Sequence, residues 1–348
     1  MRVARAVRRL EAYKPGEQPK SRRVVKLNTN ENPYPPSPAC AEALRRFDPD
    51  RLRRYPDPVF AELRAALAEL NGTSPEHIFV GNGSDEVLSV AAKTFVEDDE
   101  SIGSLDPSYS LYKTLAAIRG VKWVGVSPLR TSHCALRTSK CALFLWTNPN
   151  APTGEFAESE EIAAFAKGFR GVVIVDEAYA DFARANCMSL ATAQKNKNVI
   201  VMRTFSKSYS LAGLRVGYCV GPEDLIAAMY KVKDSYNVDA VAQSVAIAAV
   251  KDQAWMRGNV AKVMKTRARF VRELESRGWD VIPSESNFVF ARPPAPAKAS
   301  EIFESLRERN IFVRYFPGPK TGDRLRITIG TDGQMKALLS ALDDRFSR

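Results

Sequence analysis

Four short apolar runs, each closing on polar and turn-forming residues, most constrain what this 348-residue chain can fold into. They are Ile78-Phe-Val80, Ala142-Leu-Phe-Leu-Trp146, Gly171-Val-Val-Ile-Val175 and Val199-Ile-Val-Met202. Short apolar runs without alternation read as strands covered on both faces. Helical stretches lie between them. Val87 to Phe95 is one, and Pro58 to Leu70 another, with Phe60, Leu63, Leu67 and Leu70 on one face and Asn71-Gly72 as a stop. Helices alternating with such strands predict an α/β fold with a mostly parallel central sheet. The hydrophobic content of 45% allows a large core, and the length allows two domains. The expected division is an N-terminal arm over 1–38, a large α/β domain over 39–250 and a smaller α+β domain over 251–348 that the arm joins. Pro293-Pro-Ala-Pro296 reads as a loop inside the smaller domain.

The polar clusters sit where such a sheet binds ligands, outside the carboxyl ends of its strands. Asp176-Glu-Ala-Tyr179 places a carboxylate and a phenol there. Thr204, Ser206, Lys207 and Ser208 follow the fourth run, with Arg215 further along the turn. A lysine so placed can form a Schiff base with a carbonyl cofactor. Hydroxyls and a guanidinium beside it suit a phosphorylated aldehyde, and an aspartate can pair with a protonated pyridine nitrogen. Read singly, Asp176 could equally cap a helix and Lys207 could lie on an exposed loop. Gly81-Asn-Gly-Ser-Asp-Glu86 joins a strand to a helix through small residues, which makes an anion site of the helix N-terminus. It is not a dinucleotide fingerprint, because Glu86 stands where the third glycine is required. Thr147-Asn-Pro-Asn-Ala-Pro-Thr-Gly154 is a loop.

In their order along the chain, these motifs and Asp106-Pro-Ser-Tyr109 resemble the fold-type I pyridoxal 5'-phosphate (PLP)-dependent aminotransferases. Tyr13-Lys-Pro-Gly16, Asn28-Thr-Asn-Glu-Asn-Pro33 and Arg54-Tyr-Pro56 are similar to the histidinol-phosphate aminotransferase branch. The resemblance runs from about Tyr13 to the C-terminal helix and is more specific for fold and cofactor than for substrate. It implies that Lys207 holds the cofactor and shuttles a proton, that Asp176 meets the pyridine nitrogen and that Tyr179 meets the ring's phenolic oxygen. Tyr109 would stack on the ring. Ser84, Asp85, Ser206 and Arg215 would hold the phosphate, with Thr204 in the same shell and Tyr55 arriving from a neighbouring subunit, which implies a homodimer with shared active sites. Many relatives carry asparagine where this chain has Ala151, which puts one cofactor hydrogen bond in doubt; Asn150 is the candidate replacement. The implied activity is ping-pong transamination of histidinol phosphate with 2-oxoglutarate, in histidine biosynthesis. An aromatic amino-acid aminotransferase and a threonine-phosphate decarboxylase are the alternatives within the fold, and a non-enzymatic or nucleic-acid-binding protein is the alternative outside it.

Ile311-Phe-Val-Arg314 and Leu325-Arg-Ile-Thr-Ile-Gly330 alternate as strands do, and each sets an arginine among apolar residues. Such an arginine is costly to bury unpaired, and its planar fork matches a carboxylate or phosphate. The resemblance makes Arg326 and Arg314 the substrate-anion residues, with Tyr13 reaching the same pocket. The net charge of +11 gathers in the N-terminal arm and around Lys262 to Arg272. It suits steering of small anionic substrates; no helix-turn-helix pattern, zinc spacing or aromatic-basic interleaving points to specific nucleic acid. His77 and His133 lie apart from any cysteine or acidic cluster, so no metal site is expected. Five irregularly spaced cysteines, no signal-peptide core and no apolar run near eighteen residues lead to the expectation of a reduced, cytoplasmic setting without membrane insertion.

Overall fold

Buried apolar strands gather into one central sheet in the computed structural model, which describes residues 2–3, 8, 10, 16–19, 24–126, 140–192 and 196–346. Its members are β2 (Ile78–Gly81), β3 (Ser101–Leu105), β4 (Lys122–Val126), β5 (Cys141–Thr147), β6 (Val172–Asp176), β7 (Val199–Thr204) and β8 (Gly217–Val220), after a short β1 (Val25–Lys26) elsewhere. The order across the sheet is β2-β8-β7-β6-β5-β3-β4. All neighbours are parallel except β8, which is antiparallel to both β2 and β7. The chain runs from β3 out to β4 and then returns past β3 to β5, so the order reverses between β3 and β5. Ligands in α/β sheets sit at such a reversal, beyond the carboxyl ends of the strands.

Helices cover both faces. In chain order they are α1 (Pro38–Arg46), α2 (Ala61–Asn71), α3 (Ser84–Phe95), α4 (Leu111–Arg119), α5 (Ser159–Gly168), α6 (Met188–Thr192), α7 (Glu223–Tyr230), α8 (Ala240–Lys251) and α9 (Gln253–Glu275). On one face Phe144 and Trp146 of β5 interlock with Phe165 of α5, at ring separations of 4.6 and 5.3 Å. Helix α2 begins three residues later than the periodicity from Pro58 predicts. Asp57 accepts hydrogen bonds from the N–H groups of Val59 and Ala61, and Phe60 between them is left-handed at φ 54°. Leu63 and Leu67 are buried as expected, whereas Leu70 stays partly exposed. Gly72 at φ 62° ends the helix, as the Asn71-Gly72 stop predicts.

A second, antiparallel sheet is ordered β12-β13-β10-β9, from β9 (Asp280–Ile282), β10 (Phe288–Arg292), β12 (Arg314–Tyr315) and β13 (Leu325–Thr328). Helices α10 (Ala299–Glu308) and α11 (Asp332–Phe346) accompany it. The run Ile311 to Arg314 is not the single strand that its alternation predicts. β11 (Ile311–Phe312) pairs with β1 in parallel, while Arg314 and Tyr315 pair with β13. Among the described residues no helix is long and apolar enough to cross a membrane, and no group of three or more His, Cys, Asp or Glu could hold a metal.

Candidate active site

The motifs meet in one cavity of about 800 Å³ at the carboxyl ends of the parallel strands. At one end the first turn of α3 offers the N–H groups of Ser84 and Asp85, and no side chain caps that helix. Gly83 and Gly217 make the approach possible. A Cβ on Gly83, at φ 82°, would lie 2.5 Å from Arg215 Nη2, and one on Gly217 would lie 2.5 Å from the Ser84 nitrogen. Arg215 Nη1 donates to Ser206 Oγ at 3.3 Å, and Thr204 Oγ1 donates to the same oxygen at 3.1 Å. Uncapped N–H groups, hydroxyls and a guanidinium make a cradle for a phosphate.

At the other end of this half lies Asp176, 3% exposed. Its Oδ2 accepts from Tyr112 Oη at 2.7 Å and its Oδ1 from the Ala178 N–H at 3.1 Å. Burial raises its carboxyl from 3.8 to about 6, against the lowering effect of those two hydrogen bonds. A buried carboxylate of this kind calls for a cationic partner. Lys207 Nζ donates to Thr29 O at 3.2 Å and lies 5.6 Å from the Tyr179 ring centroid. Tyr179 Oη accepts from Asn30 Nδ2 at 3.0 Å, so the phenol keeps its own proton to donate. Tyr109 Oη reaches Asp85 Oδ1 at 3.3 Å, with its ring edge-on to Tyr112 at 5.7 Å. A phosphate cradle, a carboxylate for a ring nitrogen, a phenol donor and a lysine in one cavity fit PLP.

The two loops carrying these groups are tied together behind the cavity. Arg203 pairs with Glu177 at 2.7 Å and Asp181 at 2.8 Å, and Ser208 Oγ donates to Asp181 Oδ2 at 2.5 Å. The lysine loop and the Asp176 loop are thus held in one register.

The second sheet supplies the far wall. Arg314 and Arg326 stand directly opposite each other across β12 and β13. Both line the cavity, and the Phe316 ring lies 5.2 and 5.1 Å from their guanidinium carbons. Like charges opposite each other are unfavourable in a sheet, so this pair suits an anion. Arg326 Nη2 also donates to Asn28 O at 2.9 Å. The 800 Å³ cavity includes Phe316 to Thr321, and Lys320 of this loop reaches across to Asp106 at 2.5 Å.

Two residues singled out in the sequence stand elsewhere, Asn150 and Tyr55. Asn150 is buried outside the cavity lining. Its Nδ2 donates to Pro107 O at 3.1 Å and Thr153 Oγ1 at 3.0 Å, while its Oδ1 accepts from Ser108 at 3.0 Å, so it pins the loop beneath the site. The lining residue at that point is Ala151. Tyr55 is 80% exposed and stacks on Tyr236 at 4.3 Å, away from the cavity of its own chain. Tyr13 lies outside the described residues, as do His133 and Cys134. Conversely, Tyr112, Thr147, Asn30 and Phe316 join the site without having been singled out. Asn30 stood inside a motif that was noticed, and Tyr112 lies three positions after Tyr109, in the first turn of the helix that the Tyr109 loop leads into.

Comparison with known proteins agrees with this geometry. The family described as aminotransferase class I and II matches residues 22–342. The chain is 41% identical over 343 residues to histidinol-phosphate aminotransferase 1 of Nostoc sp., covering 97% of this chain and 96% of that one. It is 44% identical over 347 residues to the histidinol-phosphate aminotransferase of Acetobacter pasteurianus, covering 97% and 96%. Its fold is similar to the crystal structure of histidinol-phosphate aminotransferase from Sinorhizobium meliloti in complex with pyridoxal-5'-phosphate, with a TM-score of 0.89, 27% identity and coverage of 99% and 97%.

Proposed function

The chain belongs to the class I and II aminotransferases, in the histidinol-phosphate aminotransferase branch, and on that premise we propose that it moves the amino group of histidinol phosphate to 2-oxoglutarate. It is a PLP-dependent enzyme. When bound, PLP supplies the electron sink that lowers the barrier to removing a proton from the substrate's amine-bearing carbon. Lys207 Nζ would take that proton and pass it to the cofactor within the same half-reaction, and would run the same transfer in reverse with the second substrate, with the Thr29 carbonyl at 3.2 Å orienting the amine. Asp176 holds the charge of the ring nitrogen, Tyr179 donates to the ring oxygen and Tyr109 covers the ring face. Ser84, Asp85, Thr204, Ser206 and Arg215 hold the phosphate end. Arg326 and Arg314 bind the anionic groups of the two substrates in turn, and their cross-strand pairing at the cavity wall is the observation that carries the substrate reading.

The same reading assigns the cofactor half to residues 39–250, the covering half to 251–348 with the arm, and the working form to a cytoplasmic homodimer. Leu52, Tyr55, Val59 and Tyr236 are apolar or aromatic and exposed in the single chain, which supports a second copy covering them. Tyr55 would then reach the phosphate of the partner's cofactor.

Absorption spectra of the PLP-loaded protein test the substrate. Loss of the cofactor's visible band with histidinol phosphate, reversed by 2-oxoglutarate, is the expected result. A response to phenylalanine alone makes the protein an aromatic aminotransferase, and a response to threonine phosphate with loss of carbon dioxide makes it a decarboxylase.

A further inference from the structure

The Tyr112 phenol is fully buried on the first turn of α4, and its oxygen stands between two others, Asp176 Oδ2 at 2.7 Å and Thr147 Oγ1 at 2.5 Å. Thr147 Oγ1 lies 3.1 Å from Ser108 Oγ, which lies 3.0 Å from Asn150 Oδ1. That last oxygen is fixed as an acceptor, because the amide nitrogen of Asn150 already donates to Pro107 O and Thr153 Oγ1. Each hydroxyl in the series has a single proton. The direction of the series therefore depends on Asp176. When the carboxylate is ionised, Tyr112 donates to it and Thr147 donates to Tyr112. When it is protonated on Oδ2, the carboxyl donates to Tyr112, Tyr112 to Thr147, Thr147 to Ser108, and Ser108 to Asn150 Oδ1.

We propose that Tyr112 is a positioning residue for Asp176, and that Tyr112, Thr147 and Ser108 form a reversible hydroxyl chain whose direction follows the charge on that carboxylate. The proposal rests on the reading of Asp176 as the partner of the ring nitrogen. An enzyme of this kind must present an ionised carboxylate to a bound cofactor and must tolerate the same carboxyl, buried at the cavity wall, when the cofactor is gone. Reversal of the chain meets both demands by rotating the Tyr112 and Thr147 hydroxyls, while Ser108 keeps its proton on Asn150 Oδ1 and accepts from Thr147 only in the neutral state, with no heavy atom displaced. The other ionisable groups facing Asp176 and Tyr112 are Asp85 from α3, Lys207 from the loop after β7, and Tyr109. Glu177, next along the chain, turns away to Arg203.

The test reads the titration of Asp176 in the full-length protein freed of PLP, as the infrared stretch of the protonated carboxyl, assigned by its loss in Asp176→Asn. Tyr112→Phe removes the donor to the ionised form, so its midpoint should move up by about one pH unit. Thr147→Val leaves that donor but removes the acceptor that the Tyr112 proton needs in the neutral form. Its midpoint should move down by a similar amount, about one pH unit, and Thr147→Ser should restore the parent value. A purely structural role for these side chains does not produce shifts of opposite sign. Midpoints moving the same way, or an unmoved Thr147→Val, overturn the chain, and the threonine pair decides alone if Tyr112→Phe does not fold. No substrate is present in this measurement, so a wrong substrate assignment would appear only in the half-reaction spectra.

Discussion

Lys207 and Asp176 lie at the centre of the site, and their replacements should fail in different ways. Lys207→Ala removes the proton carrier and one hydrogen bond to Thr29 but no large core volume. Turnover should disappear while the thermal unfolding midpoint stays within a few degrees of the parent, and residual steady-state activity would contradict the assigned role. Asp176 is different because its carboxyl titrates in the folded chain near 6 instead of 3.8. The folded state therefore binds that proton more tightly than the unfolded state does. Without PLP, stability is fully present below about pH 4, falls as pH rises towards 6 and is level above that. Asp176→Asn lacks this loss. The cofactor-free variant should match the parent at pH 4 and exceed it by roughly 2–3 kcal/mol at pH 7, while binding PLP far more weakly. Denaturant melts at both pH values check the sign. Tyr112 shows why the residue scale was only partly readable. An isolated tyrosine on a helix reads as packing, and its role depends on Asp176, which is 64 positions away.

At the scale of elements, the phosphate end exists because β8 presses against the first turn of α3. A Cβ at Gly217 would come within 2.5 Å of the Ser84 nitrogen and 2.7 Å of the Gly83 carbonyl carbon, both backbone atoms that cannot rotate aside. Gly217→Ala should therefore cost about 1–3 kcal/mol and weaken PLP binding at least about tenfold. Gly213→Ala, where nothing lies within 4 Å of the added carbon, is the control and should leave both quantities near their parent values. Elements were legible in proportion to how local their causes are. β5, β6 and β7 are flanked on both sides and covered on both faces, so their sequences are unbroken apolar runs. The split between β11 and β12 was not legible, because it is decided by pairing with β1 near the other end of the chain. The late start of α2 was hidden for a different reason: the Asp57 carboxylate competes locally for N–H groups that the periodicity alone would give to a helix.

The whole molecule raises the question of a second copy. Tyr55 stacks on Tyr236 at the surface, outside the cavity of its own chain. If it completes a neighbour's site, Tyr55→Phe should lose PLP faster on dialysis. Hybrids with Lys207→Ala subunits should then regain one site of parental cofactor hold, because that site takes its lysine from one chain and its tyrosine from the other. Hybrids that retain PLP no better than the Tyr55→Phe protein would place Tyr55 outside the site. The mostly parallel central sheet with flanking helices was readable from the alternation of helical stretches with short apolar runs. The antiparallel course of β8 was not, since strand direction leaves no mark on composition. One arrangement at this scale also bears on synthesis. The segment around Thr29 and Asn30 reaches Lys207 and Tyr179, yet its backbone is fastened to residues made far later: β1 pairs with β11, and the Asn30 N–H donates to Thr328 Oγ1, 298 positions on, at 3.0 Å. During translation these residues must wait for some 298 further residues to be made before they can dock. A product cut short before β13 lacks their anchor, so the wall of the cofactor site around Thr29 and Asn30 cannot set until that strand has been made.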